Sequence, residues 1–201
     1  MVKKKPDKYL IPGEELEVLP NLLGIVNPQE IGRQEFIGFI KAQEYCIDRL
    51  EIETRFTLVY LLAIHKKALG RLYSFAGKLR TVNMSRGGFA FPAAHVLPQA
   101  MVIFESQMLQ PLNNPFMESP EFIRCLARMH AELLYLHPFR EGNGRTVRLF
   151  TNLISLKNCG VEVDFHLILE NHKSAYIQAI QQSVVEDYSL MEELFSLALP
   201  F

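Results

Sequence analysis

Apolar residues recur three and four positions apart over most of this chain, with polar residues between them, which is the signature of helices with one buried face. Phe122, Leu126, Met129, Leu133 and Leu136 step by four, three, four and three and form a single stripe. Ser119 and Pro120 start that helix as cap and first residue. Val147, Phe150 and Ile154 mark another helix from about Asn143 to Lys157, with Gly160 suited to its C-terminal cap. Upstream, Ile31, Ile37, Ile40, Ile47 and Leu50 support a helix to about residue 49. Asn27 is its cap, Pro28 its first residue, and Glu30 completes a capping box. A helix from about Thr54 to Leu69, with Leu58, Val59 and Leu62 on its buried face, ends at Gly70 and is followed by a short one from Arg71 to Ala76. Further helices are expected around Leu97 to Leu109, 170–184 and 189–198, with a loop through Pro111–Pro115.

One segment breaks this period. Between Arg80 and Pro92, Gly87 and Gly88 separate two short β-compatible runs, a hairpin signature. A lone hairpin is marginal in water, so it must lean on helices. The fold class is therefore all-α with one small hairpin. Residues 1–20 mix Lys, Pro, Glu and Gly with little periodicity and read as an extended lead-in, leaving 21–201 as a single domain.

Composition narrows the function. The apolar share of 49% is ample for a packed core, and a net charge of −1 gives no bulk attraction to nucleic acid or membrane. Cys46, Cys125 and Cys159 are scattered, with no CxxC pair to suggest a structural zinc or a disulfide framework. A reducing, cytoplasmic setting fits best. The basic start Met1–Lys5 precedes no long apolar run, so it is not a secretory signal, and no segment reaches the length of a membrane span.

The chemistry concentrates in His137-Pro138-Phe139-Arg140-Glu141-Gly142-Asn143-Gly144-Arg145-Thr146-Val147-Arg148, between two apolar helical stripes. Gly142 and Gly144 flank Asn143 where a helix begins, so ligands can approach the backbone and the first N–H groups make an anion pocket. Arg145 and Arg148 project from neighbouring points on one helical face and can grip phosphate. Glu141 offers an oxygen ligand to Mg²⁺, which prefers one or two carboxylates plus phosphate oxygens and water. His137, just past the preceding helix, is placed to deprotonate an attacking hydroxyl. That helix's C-terminus favours imidazolium and the nearby arginines oppose it, and the sequence alone leaves the balance open. Taken singly, a histidine after a helix is usually structural, a Gly-Asn-Gly turn is usually a turn, and helical arginines are usually solvated; their joint occurrence in working order carries the reading.

His-Pro-Phe-x-Glu-Gly-Asn-Gly-Arg-x-x-Arg closely resembles the signature of the Fic family, whose members mostly transfer AMP from ATP to a protein hydroxyl. The likeness extends to Leu19–Ile25 and to Ile64–Val82, with Phe75 where a Trp is common, and so covers about residues 15–200. It implies a Fic-type helical domain of the short bacterial, toxin-like branch. It further implies that His137 is the general base, Phe139 an apolar loop anchor and Glu141 the Mg²⁺ ligand. Gly142, Asn143 and Gly144 would form the anion hole, and Arg145 and Arg148 would hold the outer phosphates. The hairpin of Asn83, Met84, Ser85, Arg86, Gly87, Gly88, Phe89, Ala90 and Phe91 matches the flap on which a target segment pairs as an added strand.

The implied reaction is adenylylation of a Tyr, Thr or Ser hydroxyl on a target protein, with ATP as co-substrate, Mg²⁺ as cofactor and pyrophosphate released. Alternatives are a phosphotransferase on the same fold or a catalytically silent nucleotide-binding regulator. Phosphorylating relatives carry lysine where this chain has Gly144, which favours AMP transfer. The inhibitory pattern Ser/Thr-x-x-x-Glu-Gly/Asn of many members is not found: Glu170-Asn171 has His166 at the Ser/Thr place, and Ser189…Glu193 is followed by Leu194. A separate small antitoxin supplying an inhibitory helix is therefore expected. Outside the motif, His130-Ala131-Glu132 imitates a zinc deaminase but lacks Pro-Cys-x-x-Cys. His65, His95 and His172 read as structural, while His166, Tyr176 and Ala179 could border the base pocket.

Overall fold

A computed structural model of the protein describes residues 18–114 and 119–199. The expected lead-in therefore lies mostly outside the described residues. Asn21 anchors the start of what is described, its side chain bonding the backbone of Leu19, Leu23 and Ile25.

Helix α1 spans Pro28–Ile47, with the Asn27 side chain accepting from the Glu30 N–H as the cap signal required. The Glu30 carboxylate is spent on Arg33 and Gln34. Helix α2 spans Leu58–Leu69 and begins later than the sequence suggested, because Thr57 rather than Thr54 supplies the capping oxygen. That start sets the phase: Leu61, Ile64, His65 and Ala68 face inward, and Val59, expected on the buried side, is 75% exposed. The short helix expected over Arg71–Ala76 is instead a series of hydrogen-bonded turns that bury Leu72, Tyr73 and Ala76.

Strands β1 (Ser85–Arg86) and β2 (Phe89–Ala90) pair antiparallel, Ser85 opposite Ala90 and Arg86 opposite Phe89. Gly87 and Gly88 both have positive φ, +56° and +83°, as a two-residue turn matched to strand twist needs. Helix α3 (Leu97–Phe104) continues through a widened π turn, Glu105–Leu109, into the short α4 (Gln110–Leu112). The widening precedes Pro111, whose ring would crowd the Gln107 carbonyl in a regular helix. The loop expected from Pro111 thus begins later, and its end, with the capping side chain of Ser119, lies outside the described residues.

Helix α5 (Ser119–Leu136) is the central element, packed against α3, α6, α8 and α9. Leu126, Met129 and Leu133 of its stripe are fully buried, as the stripe requires. Helix α6 (Asn143–Cys159) buries Val147, Phe150 and Ile154 and ends at Gly160, which takes φ +74°. The helix expected over 170–184 is two helices: α7 (Phe165–Asn171), capped by Asp164, and α8 (Lys173–Gln182), with a break at His172. Helix α9 (Ser189–Ala198) packs on α5 and α8. Among the described residues the fold is helical with one small hairpin, as the sequence reads, and the turn joining α5 to α6 sits over the core.

Candidate functional site

His137 terminates α5 in the left-handed region, φ +49°, and its N–H closes the helix on the Leu133 carbonyl at 3.2 Å. Glycine usually occupies such a cap; a side chain there costs about 1–3 kcal/mol of strain, so the fold holds a histidine where backbone economy prefers none. The Nδ1–H donates to the Leu134 carbonyl at 3.1 Å, which fixes the tautomer and makes Nε2 the basic nitrogen. The ring is 5% exposed and stacks on Phe91 of the hairpin, centroids 3.9 Å apart. Burial pulls its pKa down to about 3, against the pull of the Leu134 carbonyl and with help from the charges of Arg80 and Arg86. The balance left open by the sequence is thus settled by desolvation, and the imidazole is neutral at neutral pH.

The hairpin and this histidine are tied together by Arg80. Its guanidinium is buried and donates to the carbonyls of His137 (2.7 Å), Val82 (2.7 Å) and Pro92 (2.6 Å), and its own N–H to Pro138 (2.8 Å). Val82 and Pro92 bracket the hairpin, so one cation gathers both its ends and the end of α5. Asn83 closes the base of the hairpin by accepting from the Ala94 N–H at 2.8 Å.

The far side of the turn is built as core. Asn143 accepts from the Phe139 N–H (2.8 Å) and donates to the Phe139 carbonyl (2.7 Å), bracing the loop across four residues. Phe139 is fully buried and stacks flat on His65, centroids 3.8 Å apart. His65 Nε2–H donates to the Glu141 carbonyl (3.0 Å), and its Nδ1 accepts from the Gly77 N–H (2.8 Å). Burial pulls its pKa to about 4, over the opposing pull of the Glu141 carbonyl. Gly142 takes φ +77°, and a Cβ there would meet Leu69 Cδ1 at 2.9 Å. Gly144 lies within the first turn of α6 and has no positive φ, so the two glycines have different reasons to be small.

A cavity of about 390 Å³ opens between the hairpin, the α5–α6 turn and α8. His137, Gly144 and Arg148 line one side, Phe91 another and Tyr176 a third. Arg148 folds back along α6, its Nη1 3.1 Å from where a Gly144 Cβ would be, so its charge adds to the open N–H groups of the helix start. Arg145 points elsewhere: it bonds Glu35 of α1 at 2.8 Å and Glu141 at 3.4 Å, and lies over the Phe39 ring. Glu141 also accepts from the Gly142 N–H at 2.7 Å. Among the described residues no group of three or more His, Cys, Asp or Glu could hold a metal by itself.

Of the residues singled out from sequence, His137, Gly144, Arg148 and the hairpin's Arg86, Gly87, Phe89 and Phe91 line one cavity. Glu141, Gly142, Asn143 and Arg145 do not line this cavity, nor do Asn83, Met84, Ser85, Gly88 and Ala90 of the hairpin. Tyr176 lines it and Ala179 is buried nearby, while His166 is exposed on α7. Sequence reasoning missed Arg80, Glu35 and the bridging role of His65. Arg80 and His65 bind mainly backbone atoms, which leave no residue pattern to read.

Known proteins match this arrangement. The Fic/DOC family model matches residues 55–155, which contain the hairpin, α5 and most of α6. The protein adenylyltransferase VbhT of Bartonella schoenbuchensis is 31% identical over 159 residues, 79% of this chain but only 32% of its own length. A probable protein adenylyltransferase Fic of Escherichia coli is 26% identical over 196 residues, covering 94% of this chain and 90% of the relative. An ADP-bound Fic domain of a VirB-translocated effector from Bartonella quintana superposes with TM-score 0.73 at 25% identity, over 92% of each chain. The match spans half of the chain and includes the whole motif, and the chain belongs to the Fic/DOC family.

Proposed function

We propose that this chain is a protein adenylyltransferase that transfers AMP from ATP to a side-chain hydroxyl of another protein. The observation that carries the reading is a neutral, tautomer-fixed imidazole facing the same cavity as a helix N-terminus and an arginine. The triphosphate lies along the start of α6, with the N–H groups of Asn143 and Gly144 on the inner phosphates and Arg148 on the outer ones. Arg145 acts indirectly: it holds Glu35 and Glu141 and so fixes the carboxylate beside the phosphates. Glu141 suits Mg²⁺, because one hard oxygen donor with phosphates and water completes its preferred shell; when bound, the ion neutralises phosphate charge.

A target segment pairs with the hairpin edge through its main chain and brings a hydroxyl to His137. Nε2 takes the hydroxyl proton as its oxygen bonds to the α-phosphorus; the bond from that phosphorus to the bridging oxygen breaks and pyrophosphate leaves. The adenylyltransferase names of VbhT and the Escherichia coli relative support this reaction, as does the ADP held by the Bartonella quintana domain. Gly144 supports it over phosphate transfer, since no lysine occupies the first turn of α6.

A small antitoxin helix remains part of the proposal. A cleft between α1, α6 and α7, lined by Phe36, Ile40, Arg145 and Arg148, offers it an apolar seat with cations at the end. No helix among the described residues is long and apolar enough to cross a membrane, and a cytoplasmic site of action fits the isolated cysteines. The test is incubation with ATP, Mg²⁺ and bacterial lysate in two arms, one labelled at the α- and one at the γ-phosphate. Label should enter protein only from the α position. Transfer from the γ position would mean phosphotransfer, and binding with no transfer a silent regulator.

A further inference from the structure

Arg145 stands between two carboxylates that hold it unequally, and the reaction above gives the nearer one no part. Glu35 and Phe39 are four residues apart on α1 and share the face that packs on α6. The Phe39 ring lies against the guanidinium, its centroid 4.8 Å from the central carbon, and Glu35 Oε2 accepts from Nη2 at 2.8 Å. The same Nη2 reaches Glu141 Oε1 at 3.4 Å, a longer and weaker contact. Glu35 is itself seated. Its other oxygen, Oε1, accepts from the Tyr73 hydroxyl at 2.5 Å, and Tyr73 is buried in the turns that follow α2. The Glu35 side chain is only 12% exposed, so this is a partly buried pair and not a solvated surface contact.

This geometry decides how closely Arg145 approaches Glu141. The Glu141 carbonyl accepts from His65 at 3.0 Å, and its Oε1 accepts from the Gly142 N–H at 2.7 Å as well as from the distant Nη2. The carboxylate is thereby oriented at the start of α6. A guanidinium with no other carboxylate in reach would close on Glu141 as a full ion pair, and such a pair competes with a divalent cation for the same oxygens. With Glu35 as the nearer partner and Phe39 against its flat face, Arg145 is satisfied without that approach. Glu35 lies outside residues 55–155, the stretch that carries the family match, so the motif depends here on a group supplied from α1.

We propose that Glu35, seated by Tyr73, is a positioning residue that holds Arg145 back from Glu141 and so keeps the Glu141 carboxylate able to take Mg²⁺, a role that rests on the reading of Glu141 as the Mg²⁺ ligand. Glu35 thereby sets how strongly metal and nucleotide bind together. Neither Glu35 nor Tyr73 touches the nucleotide or the reacting atoms.

The test measures binding of a non-hydrolysable ATP analogue by titration calorimetry, once with excess Mg²⁺ and once with a chelator, with melting temperature as a fold control. By linkage, the ratio of the two affinities reports how tightly the nucleotide-bound protein holds the metal. Glu141→Ala sets the floor of that ratio. Glu35→Gln keeps the shape and the acceptor for Tyr73 but removes the charge, and should lower the ratio by about threefold to tenfold. Tyr73→Phe, which removes one oxygen and keeps the ring, should lower it by about twofold, and carries the test if Glu35→Gln fails to fold. In an Arg145→Leu background, Glu35→Gln should change the ratio by less than about twofold, because no cation is left to hold. A ratio equal in wild type and Glu35→Gln, with Glu141→Ala at the floor, overturns the positioning role while the metal assignment stands. An effect of Glu35→Gln that persists undiminished without Arg145 also overturns it, since Glu35 would then act on the metal by its own charge. If Glu141→Ala leaves the ratio unchanged, the metal assignment falls and takes this inference with it.

Discussion

The turn between α5 and α6 presents two sets of side chains from one short stretch. On the cavity face stand His137, Gly144 and Arg148, whose polar atoms point where a ligand would lie. Outside the cavity lining stand Phe139, Glu141, Asn143 and Arg145: Phe139 stacks on His65, Asn143 braces the loop's backbone, and Arg145 pairs with Glu35 and Glu141. The contrast is sharpest for the two arginines. They are three residues apart on one helix and chemically identical, yet one is neutralised by two carboxylates and the other lines an open hollow. Within the motif, some side chains line the cavity and others brace the loop that carries it.

The perturbation with the largest expected effect strikes both faces together. His65 and His137 are buried neutral, with pKa values near 4 and 3, and His130 is held well below the ordinary value. In each case the folded pKa lies below the unfolded one, about 6.5, so the unfolded chain binds more protons once pH falls beneath that value. Stability is fully present above about pH 6.5 and is lost as pH falls, by about 1.4 kcal/mol per unit for each histidine down to its folded pKa. Urea midpoints measured from pH 7.5 to 4.5 should fall steeply below pH 6. A flat profile would show that these rings are not buried uncharged.

Substitutions should separate the faces. Arg148→Ala is expected to cost about 1.5–3 kcal/mol of ATP affinity and little stability, since a hydrogen-bonded charge facing the ligand is removed. Arg145→Ala should show the reverse weighting: about 1–2 kcal/mol of stability lost as Glu35 loses its cation, after discounting for partial exposure, with a smaller loss of nucleotide affinity. Paired denaturation and calorimetry on both variants read this, and equal effects in both assays would erase the distinction. The smallest contrast is between the glycines. Gly142→Ala meets Leu69 and a left-handed backbone, and should destabilise by about 1–2 kcal/mol. Gly144→Ala meets only the end of Arg148 in an otherwise helical position, so it should leave the melting temperature level and lower ATP affinity slightly.

Much of this was legible from local signals. Asn27-Pro28, Gly87-Gly88 and Gly160 each encode their own turn, because a cap or a positive φ is a property of the residue and its neighbours. The motif was readable because its chemistry is packed into twelve consecutive positions. What escaped notice was set by tertiary contacts. Arg71–Ala76 is held in turns by burial of Leu72 and Tyr73, whereas the Asp164 cap of Phe165–Asn171 is a local signal that the reading of one helix over 170–184 passed over. Arg80 reaches carbonyls 56 and 57 residues away, and Glu35 reaches an arginine 110 residues away. No spacing rule connects such pairs. For the same reason Arg145 and Arg148 read as equals until their partners were in view.

The most direct measurement compares wild type with His137→Ala in two assays on the same preparations: titration with a non-hydrolysable ATP analogue, and incorporation of α-phosphate label into lysate protein. Nucleotide affinity should stay within about twofold, because the phosphates are held by α6, while transfer should fall by about 10²–10⁴ with the loss of the base. Undiminished labelling by the variant would contradict the account, since the imidazole at the end of α5 would then not be the group that takes the proton.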